Sequence, residues 1–199
     1  ARATIAAAAA PGANSTTADA DIIINGDRVS STIDVGANNS AKTVRDAINA
    51  ETGSNGVSAD ARTYAKVLST AATATYSLKI NGTATGNLQI GSAYVADAVT
   101  KINQISGTTG VTATAAADNS FVLLYDNQGN DITVENEAAG TDLDVFAVNY
   151  DGTTDAGAKQ DLAATGGNDA ATVIGNIKLS SSKAFSATQS GTTGYFTTG

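Results

Sequence analysis

The sequence predicts an α+β fold: two related modules, each a small, mainly antiparallel sheet with one packed helix, with the two chain ends close together. Three observations predict it. Residues 22–61 and 77–115 carry the same features in the same order, so the chain repeats internally. Each copy has an Asn-Gly step between apolar residues, which suits a tight hairpin because both residue types tolerate positive φ. Each copy then has one stretch with apolar residues three and four apart, introduced by a Ser that offers an N-cap, which suits one amphipathic helix.

The elements follow in order. Residues 1–20 read as an outgoing connector. Their start, ARATIAAAAAPGA, imitates a secretory signal, and Ala1 in place of Met fits a processed chain or an excised segment. The apolar stretch 6–10 is short and preceded only by Arg2, so a flexible or helical arm stopped at Pro11-Gly12 is expected instead. Residues 21–70 form the first module. Ile22 and Ile24 lead into the Asn25-Gly26 turn, Val29, Ile33 and Val35 return, and Ser40 caps a helix with Ala41, Val44, Ala47 and Ile48 on one face. Gly53 stands where that helix should end, and a strand begins at Val57.

Residues 71–150 form the second module, after a link at 69–75. Leu78 and Ile80 precede the Asn81-Gly82 turn, Leu88 and Ile90 follow it, and Ser92 offers the cap. The helix carries Val95, Ala98, Val99, Ile102 and Ile105, Gly107 ends it, and a strand starts at Val111. The apolar segments 121–125 and 132–134 bracket 126–130 as a hairpin by composition. Residues 151–199 read as a loop-rich return segment and connector. Across 138–171 one strand at 143–150 is expected among long loops, then a strand segment within 173–185. A flexible tail is expected after Ser186.

Composition bounds the chemistry. The 199 residues include 11 basic and 19 acidic side chains, for a net charge of −8, and only 15% are charged. Cys, His, Met and Trp are absent. Without Cys there are no disulfides, thiolate metal sites or thiol nucleophiles. Without His, a Ser-His-Asp triad and the commonest neutral-pH base are lost. The acidic balance repels phosphate backbones, so no nucleic-acid partner is expected. No apolar run approaches the roughly 20 residues that cross a bilayer, so no membrane partner is expected. These features weigh against an enzyme and toward a structural or interaction module.

The acidic loop from Asp126 to Asp131 has oxygen ligands suited to Ca²⁺, but not the Asp-x-Asp-x-Asp-Gly order, and reads as a solvated loop. Asp142, Asp144, Asp151 and Asp155 read as surface charge. Gly152, Gly157, Gly166 and Gly167 lack phosphate-loop spacing. Paired carboxylates for glycoside hydrolysis lack flanking aromatics, which total 5%. The hydroxyls at Ser15-Thr16-Thr17, Thr108-Thr109, Thr153-Thr154 and Thr192-Thr193 are acceptors for O-linked glycans, set against ordinary turn chemistry. The triplets at Asn14, Asn38 and Asn81 are weaker, with Asn81 occupied as a turn residue. No catalytic, cofactor or metal residue is assigned, and no cofactor is expected.

The Ile24-Asn25-Gly26 turn with Ile48-Asn49 and Gly56-Val57, and again Ile80-Asn81-Gly82 with Ile102-Asn103 and Gly110-Val111, resembles the IN motif of bacterial flagellins. The motif belongs to the outer, variable part of those proteins and of some hook-associated proteins. The stretch 177–185, IKLSSSKAF, also resembles the return of a flagellin toward its filament core. The resemblance implies a structural, outward-facing part of a flagellin subunit, extracellular and serving motility. Its partners would be other flagellin subunits, met through inner domains with long heptad helices that this sequence does not contain. The isolated chain is then expected to be a monomer, with surface glycans as a further expectation. Two alternatives stand beside this reading. One is a hook-associated or cap domain with the same motif. The other is a carbohydrate-binding or adhesive module, for which the six Tyr look dispersed along the chain.

Overall fold

A computed structural model describes residues 10–16, 18, 21–137, 142–163, 168–190 and 195, and the backbone of 5–8. The repeated unit is β2 (Ile22–Asn25), β3 (Ser30–Ile33), α1 (Ala41–Ala50), α2 (Thr52–Asn55) and β4 (Ser58–Leu68) in the first copy. In the second it is β5 (Ala74–Ile80), β6 (Thr83–Ile90), α3 (Ala96–Gln104), α4 (Ser106–Thr109) and β7 (Thr112–Ala115). These are joined by β1 (Ile5–Ala8), β8 (Val122–Asp126), β9 (Ile132–Asn136), β10 (Leu143–Val148), β11 (Gln160–Leu162), β12 (Ala170–Val173), β13 (Asn176–Ser180) and β14 (Ser186–Gln189). Among the described residues all strand pairs are antiparallel, so the fold is α+β and dominated by sheet.

Three sheets result. One runs β1-β12-β9-β5-β6, a second runs β11-β10-β4-β8-β7 with β13 also on β4, and a third is β14-β2-β3. The first two sheets and α3 enclose one core, including Leu78, Ile90, Ile102, Leu124, Val134 and Val145. The third sheet, α1 and the start of β4 enclose another, including Ile22, Ile24, Val44, Ile48 and Val57. β4 links them: Ser58–Arg62 pairs with β13, and from Thr63 onward the strand pairs with β8 and β10. The cores divide within β4, between Ala61 and Ala65, not in the link after Leu68.

The two copies share a device that explains their common residues. Asn49 Nδ2 donates to the Ala59 carbonyl at 2.9 Å and its Oδ1 accepts from Ala59 N–H at 2.8 Å. Asn103 does the same to Ala113, at 2.9 and 2.8 Å. The amide imitates the peptide of a neighbouring strand. Among the described residues Ala113 lies on β7, an edge of its sheet, and Ala59 lies where only β13 pairs with β4. In an antiparallel ladder alternate residues turn both backbone groups away from the partner, and an edge leaves them unmet. Immediately before each Asn clamp, Ile48 and Ile102 project from the inner helix faces and are buried. Gly56 and Gly110 both take φ 74° and close the short second helix onto Val57 and Val111.

Several expectations need correction. Gly53 and Gly107 lie inside α2 and α4 instead of ending the helices, because each chain adds a second short helix and leaves the left-handed cap to Gly56 and Gly110. Ser40 caps α1, its side chain accepting from Thr43 N–H, but Ser92 does not cap α3. That helix starts at Ala96, after a Gly91–Tyr94 bridge, and Asp97 accepts from Gln89 N–H. The Asn81-Gly82 turn is the expected two-residue hairpin, with φ 46° and 75°. Asn25 pairs with Ser30, so the first turn is wider. Gly26 is required there by packing: a Cβ would stand 1.9 Å from the Asn55 carbonyl oxygen.

The segments 121–125 and 132–134 are strands but not a hairpin; β8 and β9 belong to different sheets. Thr63 Oγ1 donates to the Asn130 carbonyl and Lys42 N–H to the Gly129 carbonyl, holding the crossing loop. The connector 1–20 includes β1, which pairs with β12 as an edge strand instead of forming a helical arm. Segment 151–199 supplies β11, β12, β13 and β14, so it is more than loop and connector. β12 was hidden because its four residues are all buried between two strands, which removes the alternation that marks a half-buried strand. The tail after Ser186 begins as β14 on β2, and Tyr195 is buried with its hydroxyl donating to the Asn39 carbonyl. Residues 1–4 and 196–199, on which the closeness of the ends depends, lie outside the described residues.

Candidate functional site

Along β4 the residues alternate between core and outer face, as period two requires. Ala61, Thr63, Ala65 and Val67 are buried, which puts Arg62, Tyr64 and Lys66 on the outer face. Register brings more rings beside them. Tyr64 lies opposite Tyr125 of β8, and Lys66 lies opposite both Leu123 of β8 and Phe146 of β10. The Tyr64 and Tyr125 rings stack with centroids 4.5 Å apart and planes 14° from parallel. Lys66 Nζ sits 4.1 Å from the centre of Phe146 and 5.6 Å from that of Phe121. The Arg62 guanidinium covers Tyr150 at 4.9 Å, and Lys178 Nζ approaches the same ring at 5.6 Å. Five of the ten aromatic residues therefore share one sheet face, interleaved with cations. The six Tyr are dispersed along the chain, but sheet register brings Tyr64 to Tyr125, and the loop after β10 adds Tyr150 beside Arg62 and Asp60.

Charge on this face is nearly balanced. Asp60 accepts from Arg62 at 3.1 Å and from the Tyr150 hydroxyl, and Lys66 pairs with Asp155 at 2.5 Å. Burial and the bond to Asp60 push the Tyr150 hydroxyl up to about 12. Burial, with Tyr64 alongside, raises Tyr125. Burial raises Asp60, but the Tyr150 hydroxyl and Arg62 outweigh it and hold the carboxyl below its ordinary value.

The loop 149–155 crosses this face in a fixed shape. Asn149 Oδ1 accepts from Thr153 and Thr154 N–H, each at 3.2 Å, and Asp151 Oδ1 accepts from Thr153 N–H at 3.0 Å. Gly152, at φ 76°, lies against Tyr64; a Cβ there would be 3.1 Å from the ring. A depression of about 340 Å³ lies between the loop and Lys66, Phe121 and Leu123. A second, about 540 Å³, lies between Tyr150, Asp151, Asn176 and Lys178. Asn176 is 1% exposed; its Nδ2 donates to the Val148 carbonyl, while its Oδ1 is buried with no partner among the described residues.

The other candidate residues of the sequence have mainly structural places. Asp126 closes its own loop, accepting from Gln128 and Asn130 N–H at 2.7 and 3.2 Å. Both Asp131 oxygens accept from Asn14 Nδ2 at 3.0 Å. Burial, aided by Asp126 and opposed by Asn14, pushes Asp131 up to about 6. Among the described residues no group of three or more His, Cys, Asp or Glu is placed to hold a metal. Asp144 is buried beside Lys159, while Asp151 and Asp155 belong to the aromatic face. Gly152 serves packing, and Gly166 and Gly167 lie outside the described residues.

Of the hydroxyls, Thr16 and Thr109 are buried, whereas Ser15, Thr108, Thr153 and Thr154 are exposed. Thr17, Thr192 and Thr193 lie outside the described residues. Asn14 is buried and bonded, and Asn81 holds its turn to Thr133 and Thr109. Among the described residues no helix is long and apolar enough to cross a membrane. No protein-family model matches the chain, and no curated protein matches it.

Proposed function

We propose that this chain is the outward-facing, structural part of a filament subunit similar to the flagellins, and that it performs no catalysis. The observation that supports this most is the doubled clamp. The two Asn residues that carry the flagellin-like motif make the same pair of bonds to strands ten residues on. That gives the shared residues a common structural purpose in both copies. The rest of the molecule suits exposure on a filament. β4 passes unbroken through both cores, which couples the two copies mechanically. A net charge of −8 keeps a densely repeated surface soluble, and a chain without Cys cannot cross-link outside the cell.

In this reading the chain sets the surface of the filament, and other subunits meet it through inner domains not present in this sequence. The location is extracellular, and the isolated chain is a monomer. Immunogold labelling of flagellated cells that carry the gene tests it, with antibody raised against this chain. Label along the whole filament is expected. Label only at the tip or hook would favour a cap or hook-associated protein, and label confined to the cell wall would overturn the filament reading.

A further inference from the structure

We infer that the outer face around Tyr64, Tyr125 and Tyr150 is a binding site for pyranose polysaccharide. The inference stands independently of the filament reading. The face has the two parts that recognition of a sugar ring needs. Partly exposed aromatic rings offer flat, electron-rich surfaces to the C–H face of a pyranose. Beside them stand planar or bidentate polar groups, Asp151 and Asn176 in one hollow and Asp155 in the other, suited to adjacent ring hydroxyls.

Asn176 is the most telling of these. A buried amide oxygen without a partner is costly, and this one belongs to a residue lining the larger hollow. The oxygen is enclosed, and a sugar hydroxyl that displaces its cover at the floor of the hollow would supply the donor it lacks. The loop 149–155 is held by its own Asn149 and Asp151 bonds, so little order has to be imposed when a ligand arrives. The other classes of partner fit less well. Nucleic acid and anionic lipid, held chiefly through phosphate charge, meet Asp60, Asp151 and Asp155 on this face, whereas a uronate also offers it ring faces and hydroxyls. A protein partner of ordinary apolar character would have to strip water from cations placed against the rings.

Affinity electrophoresis of the whole chain tests the proposal, using gels cast with a neutral polysaccharide (mannan or a β-glucan) or a uronate one (polygalacturonate). Retardation is expected in at least one gel. Retardation in the neutral gel alone assigns the ligand to stacking and hydroxyl contacts. Retardation in the uronate gel, weakened by K178A, assigns a carboxylate to Lys178. Tyr125→Ala should weaken binding about tenfold or more, the scale of one lost ring contact in a desolvated site. Tyr94→Ala, at an exposed ring of the β6–α3 turn, should leave it unchanged. Lys178→Ala and Tyr150→Phe keep the test valid if Tyr125→Ala fails to fold, which near-UV circular dichroism reports. Tyr150→Phe should also weaken binding, because it removes the hydroxyl that holds Asp60 and Tyr150 together. The proposal is overturned by free migration in both gels, by binding that the folded variants leave unchanged, or by sedimentation showing that the face pairs two copies of the chain.

Discussion

The clamp makes a quantitative claim about Asn49 and Asn103. Changing either to Ala deletes two hydrogen bonds to backbone, at 2.8 and 2.9 Å in each copy. At about 1 kcal/mol net per bond, the loss is about 2 kcal/mol. The Asn side chains are themselves exposed, so water recovers part of the bonding, and Ala gains roughly 0.5 kcal/mol of helix propensity over Asn. The expected cost is therefore ~1.5 kcal/mol for each variant, close to equal in the two copies. For a chain of this size that lowers the melting temperature by roughly 3–6 °C. The two Asn serve different cores, so N49A and N103A should add within about 0.5 kcal/mol in the double variant. Urea denaturation followed by far-UV circular dichroism measures all three, with Gln104→Ala, one residue beyond the second clamp on the exposed side of α3, as a neutral control. A cost near zero at either Asn, or one indistinguishable from Gln104→Ala, would refute the claim that these amides stand in for a missing strand.

Ile48→Ala and Ile102→Ala should each cost about 2–5 kcal/mol in the same denaturation assay, because both side chains are fully enclosed. Gly26→Ala and Gly82→Ala should separate the two Asn-Gly steps by crystallography and thermal melting. The first must displace the Asn55 carbonyl and lose stability by several kcal/mol, while the second meets open space and pays only the left-handed backbone penalty of about 1–2 kcal/mol. Asp131 stays protonated in the fold up to about 6 but ionises near 3.8 once unfolded, so stability should fall as pH rises from about 4 to 6. Asp131→Asn should abolish that slope and stabilise the protein above pH 6 by up to about 3 kcal/mol, measured as melting temperature against pH.

What the sequence disclosed follows from which physics is local. The order strand, turn, strand, helix, strand was legible in both copies because the Asn81-Gly82 turn, the Ser40 cap and the helical spacing of Val44, Ile48, Ala98 and Ile102 act within a few residues, although Asn25-Gly26 turns without the positive φ its residue types suggest. What was missed is long-range. β12 has no alternation, since Ala170, Ala171, Thr172 and Val173 are buried on both faces, and such a run becomes a strand only once β1 and β9 lie beside it. The pairing of β8 and β9 with different sheets could not be read from their closeness in sequence; short connections ordinarily make hairpins. Asn49 and Asn103 were visible as matching letters, yet their purpose appears only when Ala59 and Ala113 are seen to face an empty sheet edge.

The aromatic face extends the same reasoning to function. Tyr64, Phe121, Tyr125, Phe146 and Tyr150 are spread over nearly half of the 199-residue chain, so linear spacing makes them look scattered. Strand register is the operation that collects them: Tyr64 opposite Tyr125 on one side and Val148 on the other, Lys66 opposite Leu123 and Phe146. A β-module whose only duty was to stay folded would gain by burying these rings or by replacing them with small polar residues, as most of this chain's surface does. Here half of its aromatics stand partly exposed on one sheet face, each near a cation or another ring, beside a buried amide oxygen that lacks a donor. Rings left partly exposed and an acceptor left unpaired both cost free energy in the isolated fold, and one ligand with a C–H face and hydroxyl donors would relieve both costs. The clamps explain how the module holds its shape; this face is where that shape is most plainly unfinished without a partner.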